Sequence, residues 1–341
     1  MRLRLWGAAT VSACAVGLSS VGVGAAVAAP AANPAAPQQI VTRYVDTTDI
    51  AGVPTFGGIS GMDATGDNGY VMISTDVGRF GPARFYHVAV PFISGAGFAG
   101  GPSINGGGTV FGPGLMPMTP GSAQFEGIRR LSSGYVVVSG GDHEFVRVIG
   151  DLGNDVRDLP LPAAYRTTPK TGLAGQRGLT GVAVSGDRIS VITAGGLKQD
   201  PAHAARLLTW AGRGTSEYVY RTDGDEVAAD VLAINSTDYL VLERGAGRIA
   251  RVYWTTTRGA QPVTGKARLS GSESPMPKKL IFSTEPLVDL AAGNMAGMSW
   301  GNWYPDRPWL TYRSRTLFIV TNNAFAGPTR IHAIEVRFPK A

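Results

Sequence analysis

Short apolar runs rich in Val, Ile, Leu, Tyr and Phe recur along the chain, separated by Gly, Pro, Asn and Asp. This is the chemistry of strands joined by turns. The runs come in copies. Gly58-Ile59-Ser60-Gly61-Met62 is followed by apolar stretches at 70–76 and 84–90. Phe125-Glu126-Gly127-Ile128 is followed by 135–139 and 145–149, and Leu179-Thr180-Gly181-Val182 by 189–193 and 206–210. A fourth copy, Asp230-Val231-Leu232, lacks the glycine and leads into 239–244 and 249–254. A fifth runs from Ala296-Gly297-Met298-Ser299 into 316–321 and 330–336. Markers at 61, 127, 181, 231 and 297 recur roughly every 60 residues.

Such a step holds about four short strands, the unit of a β-propeller blade. The chain is therefore expected to be all-β, a β-propeller of six blades, five of them visible as repeats. The stretches 92–124 and 257–293 are expected to be Gly/Pro/Ser-rich insertions or a sixth blade in pieces. An N-terminal strand at 40–45 is expected to pair beside 330–337, closing the ring and protecting two edges. A pair of two-sheet sandwiches is the competing architecture. Only 223–234 carries a pattern that suits a short helix.

Composition agrees with this pattern. Of 341 residues 44% are hydrophobic and only 16% charged, which excludes wholesale disorder and long solvated helices. The 47 Gly and 22 Pro fit many turns. A formal charge of +6 with no Lys/Arg run longer than two residues leaves no nucleic-acid footprint.

The start of the chain reads differently. Arg2 and Arg4 precede an uncharged stretch, 5–29, that ends near Ala26-Val27-Ala28, a small-x-small cleavage pattern. Residues 1–28 are expected to be a cleaved signal peptide, 29–37 a disordered mature start and 38–341 the propeller domain. A secreted or otherwise extracytoplasmic protein follows. A spanning helix is the alternative reading of 5–29. Val11-Ser12-Ala13-Cys14 looks like a lipoprotein box, but the apolar run continues well past Cys14, so no stable membrane anchor is expected. Cys14 is the sole cysteine, so the mature chain holds no disulfide. A monomer is expected.

Enzyme motifs are sparse. No phosphate-cradling loop, zinc-spaced set or dinucleotide fingerprint occurs. Gly297-Met298-Ser299-Trp300-Gly301 matches a nucleophile elbow, but Asn302-Trp303-Tyr304-Pro305 cannot supply the helix that motif needs, and a blade strand is the better reading. Asp63 to Gly69 resembles a calcium loop without the spacing or terminal Glu, so a hairpin turn is expected. Asp142, His143 and Glu144 are read as a solvated turn that could meet a metal or a substrate at a propeller face.

Several motifs, in order, resemble the phytase-like family, also described as esterase-like activity of phytase. They are Phe56-Gly57-Gly58-Ile59-Ser60-Gly61-Met62, Ile73-Ser74-Thr75-Asp76, Pro82-Ala83-Arg84-Phe85-Tyr86 and Phe125-Glu126-Gly127-Ile128. Gln176-Arg177-Gly178-Leu179-Thr180-Gly181, Leu242-Glu243-Arg244, Asn294-Met295-Ala296-Gly297-Met298 and Thr321-Asn322-Asn323-Ala324-Phe325 continue the series. The resemblance implies an exported bacterial propeller that hydrolyses a phosphoester or another ester. A non-catalytic propeller that binds a ligand or partner at the cell surface is the alternative.

The departures bear on chemistry. Thr180 and Ala296 stand where the family pattern carries Glu, and Thr75 and Asn322 where it carries Asp. A calcium-dependent phosphohydrolase needs clustered carboxylates. The surviving acids, Glu126, Asp76 and Glu243, are the catalytic candidates, with Asp76 and Glu126 as candidate metal ligands and calcium expected to bind weakly. Arg84, Arg177, Arg244 and Arg330 are candidate binders of a small anionic or ester substrate, and inter-blade pairing is their structural alternative. Repeat equivalence predicts that Glu126, Thr180 and Ala296 point into one space.

Overall fold

The computed structural model describes residues 40–50, 55–175, 178–245, 249–287 and 293–340. The leader at 1–28, the start at 29–37 and Arg177 lie outside them. The first strand is β1 (Val41–Ile50). Blade 1 follows with β2 (Ile59–Gly66), β3 (Gly69–Ser74) and β4 (Arg84–Ala89), then a small hairpin of β5 (Phe92–Ile93) and β6 (Gly97–Phe98), then β7 (Ser103–Thr109). Blade 2 is β8 (Phe125–Arg130), β9 (Tyr135–Ser139), β10 (Phe145–Ile149) and β11 (Arg157–Asp158). Blade 3 is β12 (Leu179–Ser185), β13 (Arg188–Thr193), β14 (Ala204–Ala211) and β15 (Gly214–Arg221). Blade 4 is β16 (Val227–Ala233), β17 (Asp238–Arg244), β18 (Ala250–Thr256) and β19 (Lys278–Ser283). Blade 5 is β20 (Asn294–Trp303), β21 (Tyr312–Asn322) and β22 (Thr329–Pro339), completed by β1.

Each blade is antiparallel, and the inner strands β2, β8, β12, β16 and β20 pack in sequence with β20 returning to β2. Among the described residues the ring thus closes with five blades, one for each repeat. The stretch 92–124 supplies the hairpin, β7 and loops, and 257–293 supplies β19. Residues 227–233, within the one stretch suited to a helix, form the inner strand of blade 4. Its buried positions, Ala228 to Leu232, face neighbours on both sides, so packing overrides the helix-compatible pattern.

Five apolar layers lie between successive blades. Val71, Ile73 and Phe85 of blade 1 pack on Phe125, Ile128 and Val137 of blade 2. Leu240, Leu242 and Val252 of blade 4 pack on Met298, Leu317 and Ile334 of blade 5. Each buried Leu, Ile or Phe contributes roughly 1.5–3 kcal/mol, so these layers outweigh any single polar contact. The ring is latched by β1 on β22, running from Val41 opposite Arg337 to Ile50 opposite Thr329. That is the closure read from the sequence. The Asp63 to Gly69 segment is a hairpin turn, with Asp67 and Asn68 in the left-handed region.

The inner strands share one irregularity. Pairing with the second strand slips between Ile59 and Gly61, Phe125 and Gly127, Leu179 and Gly181, Ala228 and Asp230, and Met295 and Gly297. The bulged residues are therefore Ser60, Glu126, Thr180, Ala229 and Ala296. A bulge re-aims its side chain. The residue after it is glycine because neighbouring inner strands nearly touch there. A Cβ on Gly61 would lie 2.7 Å from the Ile128 nitrogen, and one on Gly297 2.9 Å from the Gly61 Cα. In blade 4 that place belongs to Asp230, one residue before the expected marker at Val231.

Candidate functional site

The bulges open onto one face of the ring, where inner strands begin and second strands end. A cavity of about 600 Å³ lies there, and Asp76, Glu126, Arg244, Ala296, Asn322 and Phe325 are among its walls. Glu126 reaches it because the bulge turns its side chain out of the blade 2 pairing. The Glu126 carboxylate accepts a hydrogen bond from Gln124 Nε2 at 2.5 Å. Burial pushes this carboxyl up to about 7, against the Gln124 hydrogen bond and the charge of Arg244. Arg244, at the end of β17, donates from Nη1 to the Met295 carbonyl at 3.2 Å. Burial lowers the pKa of its guanidinium, and Glu126 opposes that shift. Among the described residues neither group closes an ion pair.

The other candidates lie elsewhere or are already engaged. Asp76 lines the cavity, but it accepts from Arg84 Nη1 at 2.9 Å and from the backbone N–H groups of Arg79 and Phe80. Arg84 is buried and also bonds Tyr86, Pro82 and Thr55. Glu243 is fully buried away from the cavity, against Lys278 at 2.6 Å, Tyr220 and the Asp223 N–H. Arg330 forks onto Asp49 at 2.7 and 3.1 Å on the outer strands of blade 5. Ala296 shares the cavity with Glu126, whereas the Thr180 hydroxyl turns to the Ala228 carbonyl at 2.8 Å. Ser60 does the same to the Phe125 carbonyl. Ser299 is buried within β20, bonded to the Trp300 carbonyl, with no helix after it.

Sequence reasoning missed the aromatic rim. Phe80 and Phe325 stack with centroids 4.0 Å apart, and Arg79 lies 4.8 Å over Phe80. The glycine pair at 57–58 carried the signal. A Cβ on Gly57 would fall 2.8 Å from the Phe325 ring, and one on Gly58 2.6 Å from it. Asn323 holds the loop in place by accepting from the Gly58 and Phe325 N–H groups. Asp142 and His143, read as a solvated turn, form another part of the cavity wall.

A model of the family described as Phytase-like, esterase-like activity of phytase, matches residues 54–325. The chain belongs to the phytase-like family. No curated protein matches it. A solved structure described as "YCF48 bound to D1 peptide" is 8% identical, covers 89% of this chain and 95% of that one, and has a TM-score of 0.28. That score carries no argument. Within the phytase-like chain, the match spans Phe56-Gly57-Gly58, Glu126 and Phe325, so the residues that shape the mouth are those the family model covers.

Calcium is the cation the family resemblance implies, and the donors of this phytase-like mouth do not fit it. A calcium ion takes six to eight oxygens, several of them anionic. Here Asp76 is saturated by Arg84 and two N–H groups, Ala296 offers no oxygen, and Arg244 brings positive charge. Among the described residues no three His, Cys, Asp or Glu side chains cluster as a metal site.

Proposed function

We propose that this phytase-like propeller hydrolyses a phosphoester or another ester in the mouth of its ring, using Glu126 and Arg244. The observation that supports this reading is a desolvated carboxyl and a guanidinium lining one concave site, neither held in an ion pair among the described residues. Such a pair suits acid–base work on an anion. With its pKa near 7, Glu126 exists in both protonation states at neutral pH. As carboxylate it takes the proton of an attacking water; as acid it returns that proton to the departing alkoxide. Arg244 offsets charge on the ester oxygens, and the low dielectric of the mouth strengthens that contact. The leader pattern of Arg2, Arg4 and 5–29 supports export, with the mature chain acting outside the cytoplasm.

The test is turnover of p-nitrophenyl acetate and p-nitrophenyl phosphate by the chain lacking residues 1–28, with and without a chelator. Turnover of one of them should persist with chelator and fall at least a hundredfold in Glu126→Gln, the scale of a lost general acid–base. Undiminished turnover in Glu126→Gln, or none by the unmodified chain, would overturn the reading.

A further inference from the structure

A second cavity, about 710 Å³, adjoins the mouth on the same face of blade 2, and the two share Asp142 and His143. Its character is different. Met116, Pro117, Met118, Phe145, Leu161 and Leu173 line it. Pro113, opening the short turn Pro113–Leu115, and Met116 just after it lie on its rim, and Met116 stands 66% exposed. The exposed Met116 adjoins the apolar lining formed by Pro117, Met118, Phe145, Leu161 and Leu173, so apolar surface continues from the rim into the cavity. Methionine suits this because its unbranched, polarizable chain adapts to an irregular apolar guest. Of the charged groups in the wall, Arg147 is forked onto Asp158 at 2.6 and 3.0 Å and lies 3.9 Å over the Phe145 ring, while Asp142 and Arg166 stand exposed at the edge. Burial raises the Glu144 carboxyl to about 8, which leaves it neutral at pH 7.

We infer that the two cavities form one bipartite site for an amphiphilic anionic ester, its anionic head beside Arg244 and an extended apolar chain in the Met116–Met118 groove. The groove adjoins the mouth at Asp142 and His143, which line both, and its apolar side chains complement a chain as the mouth complements a head. This inference rests on the hydrolytic reading for the head's position, but binding tests it separately from turnover.

Alkylphosphonates serve as probes, because their carbon–phosphorus bond resists hydrolysis. Calorimetric titration would compare butylphosphonate with decylphosphonate below its micelle concentration. Decylphosphonate should bind at least tenfold tighter, since each buried methylene adds favourable transfer energy. That ratio should collapse towards one in Met116→Asp and in Met118→Glu. It should survive in Trp309→Ser, a change at an exposed residue outside both cavities. Arg244→Gln should weaken both probes. Equal affinities in the unmodified chain, a ratio unmoved by both methionine variants, or binding indifferent to Arg244→Gln would each overturn the bipartite site. A tenfold ratio without any ester turnover would sustain the groove and defeat the hydrolytic reading. Turnover with no chain-length dependence of binding would do the reverse.

Discussion

Two arginine–carboxylate combinations lie on the first two strands of the blades, and they are handled in opposite ways. Arg129 and Asp230 close a buried ion pair at 2.8 Å, with side chains 2% and 0% exposed. Asp230 also accepts from the Val231 and Met298 N–H groups, and Arg129 donates to the Met62, Ile128 and Val231 carbonyls. Four blades meet at this one cluster. Glu126, a few residues away on β8, is also desolvated but among the described residues holds a single side-chain hydrogen bond, and Arg244 forms no ion pair there. A saturated pair has nothing left to offer a ligand; an unsaturated one does. Both acids occupy repeat positions, Glu126 in the bulge and Asp230 just after it, so one residue of offset separates an acid facing the mouth from one tied between strands.

Breaking the closed pair should have the largest effect. Asp230→Ala leaves Arg129 charged and buried, at a cost of about 3–5 kcal/mol. The double change Arg129→Met with Asp230→Leu should recover part of that loss. Urea unfolding of the three variants checks it, and additive losses would mean the two residues do not act as a pair.

The open pair should behave in the reverse sense. The folded-state pKa of Glu126 lies above its unfolded value, so its contribution is present at low pH and lost as pH rises from about 4.5 through 7. Glu126→Gln should therefore stabilise the fold at pH 8 by roughly 1–3 kcal/mol and change little at pH 4. A destabilised Glu126→Gln at pH 8 would assign Glu126 to the framework.

An opposite slope belongs to the latch. His332, on β22, is buried with Nδ1 3.2 Å from the Tyr44 hydroxyl of β1. Burial, reinforced by Arg330 and opposed by Asp49, pushes its imidazole down to about 4. The unfolded chain then binds the extra proton, so stability falls as pH drops from 6.5 to 4, by up to about 3 kcal/mol. His332→Gln should flatten that limb in thermal melts between pH 4 and 7. An unchanged limb would move the acid sensitivity to other groups.

Much of this architecture was legible in the sequence because a blade repeats its pattern. The glycines at 61, 181 and 297 exist for the close approach of inner strands, and Gly127 recurs at the same place, so their spacing reported the ring directly. The latch was readable from two apolar strands at opposite ends of the chain. The fourth blade was harder to align, because Asp230 replaces the glycine and its charge is met by Arg129, about 100 residues away, with a further hydrogen bond from Met298, about 70 away. The same holds for the site. Acidic residue types pointed to Glu126, Asp76 and Glu243 alike, yet their partners among the described residues differ: Arg84 for Asp76, Lys278 and Tyr220 for Glu243, and Gln124 for Glu126. Saturation is a property of tertiary neighbours, which residue spacing does not encode. The groove beside the mouth escaped notice because Met116 and Leu173 are far apart in sequence and meet only when blades 1 and 3 flank blade 2.

The central claim is that Glu126 is a desolvated, unsaturated acid that senses Arg244. A carbon-13 NMR titration of the glutamate side-chain carboxyls, with the Glu126 signal assigned by its loss in Glu126→Gln, tests this most directly. The account predicts a midpoint near 7 for Glu126, moving higher in Arg244→Gln because the neighbouring positive charge is gone. A midpoint near 4.5 that ignores Arg244→Gln would contradict it.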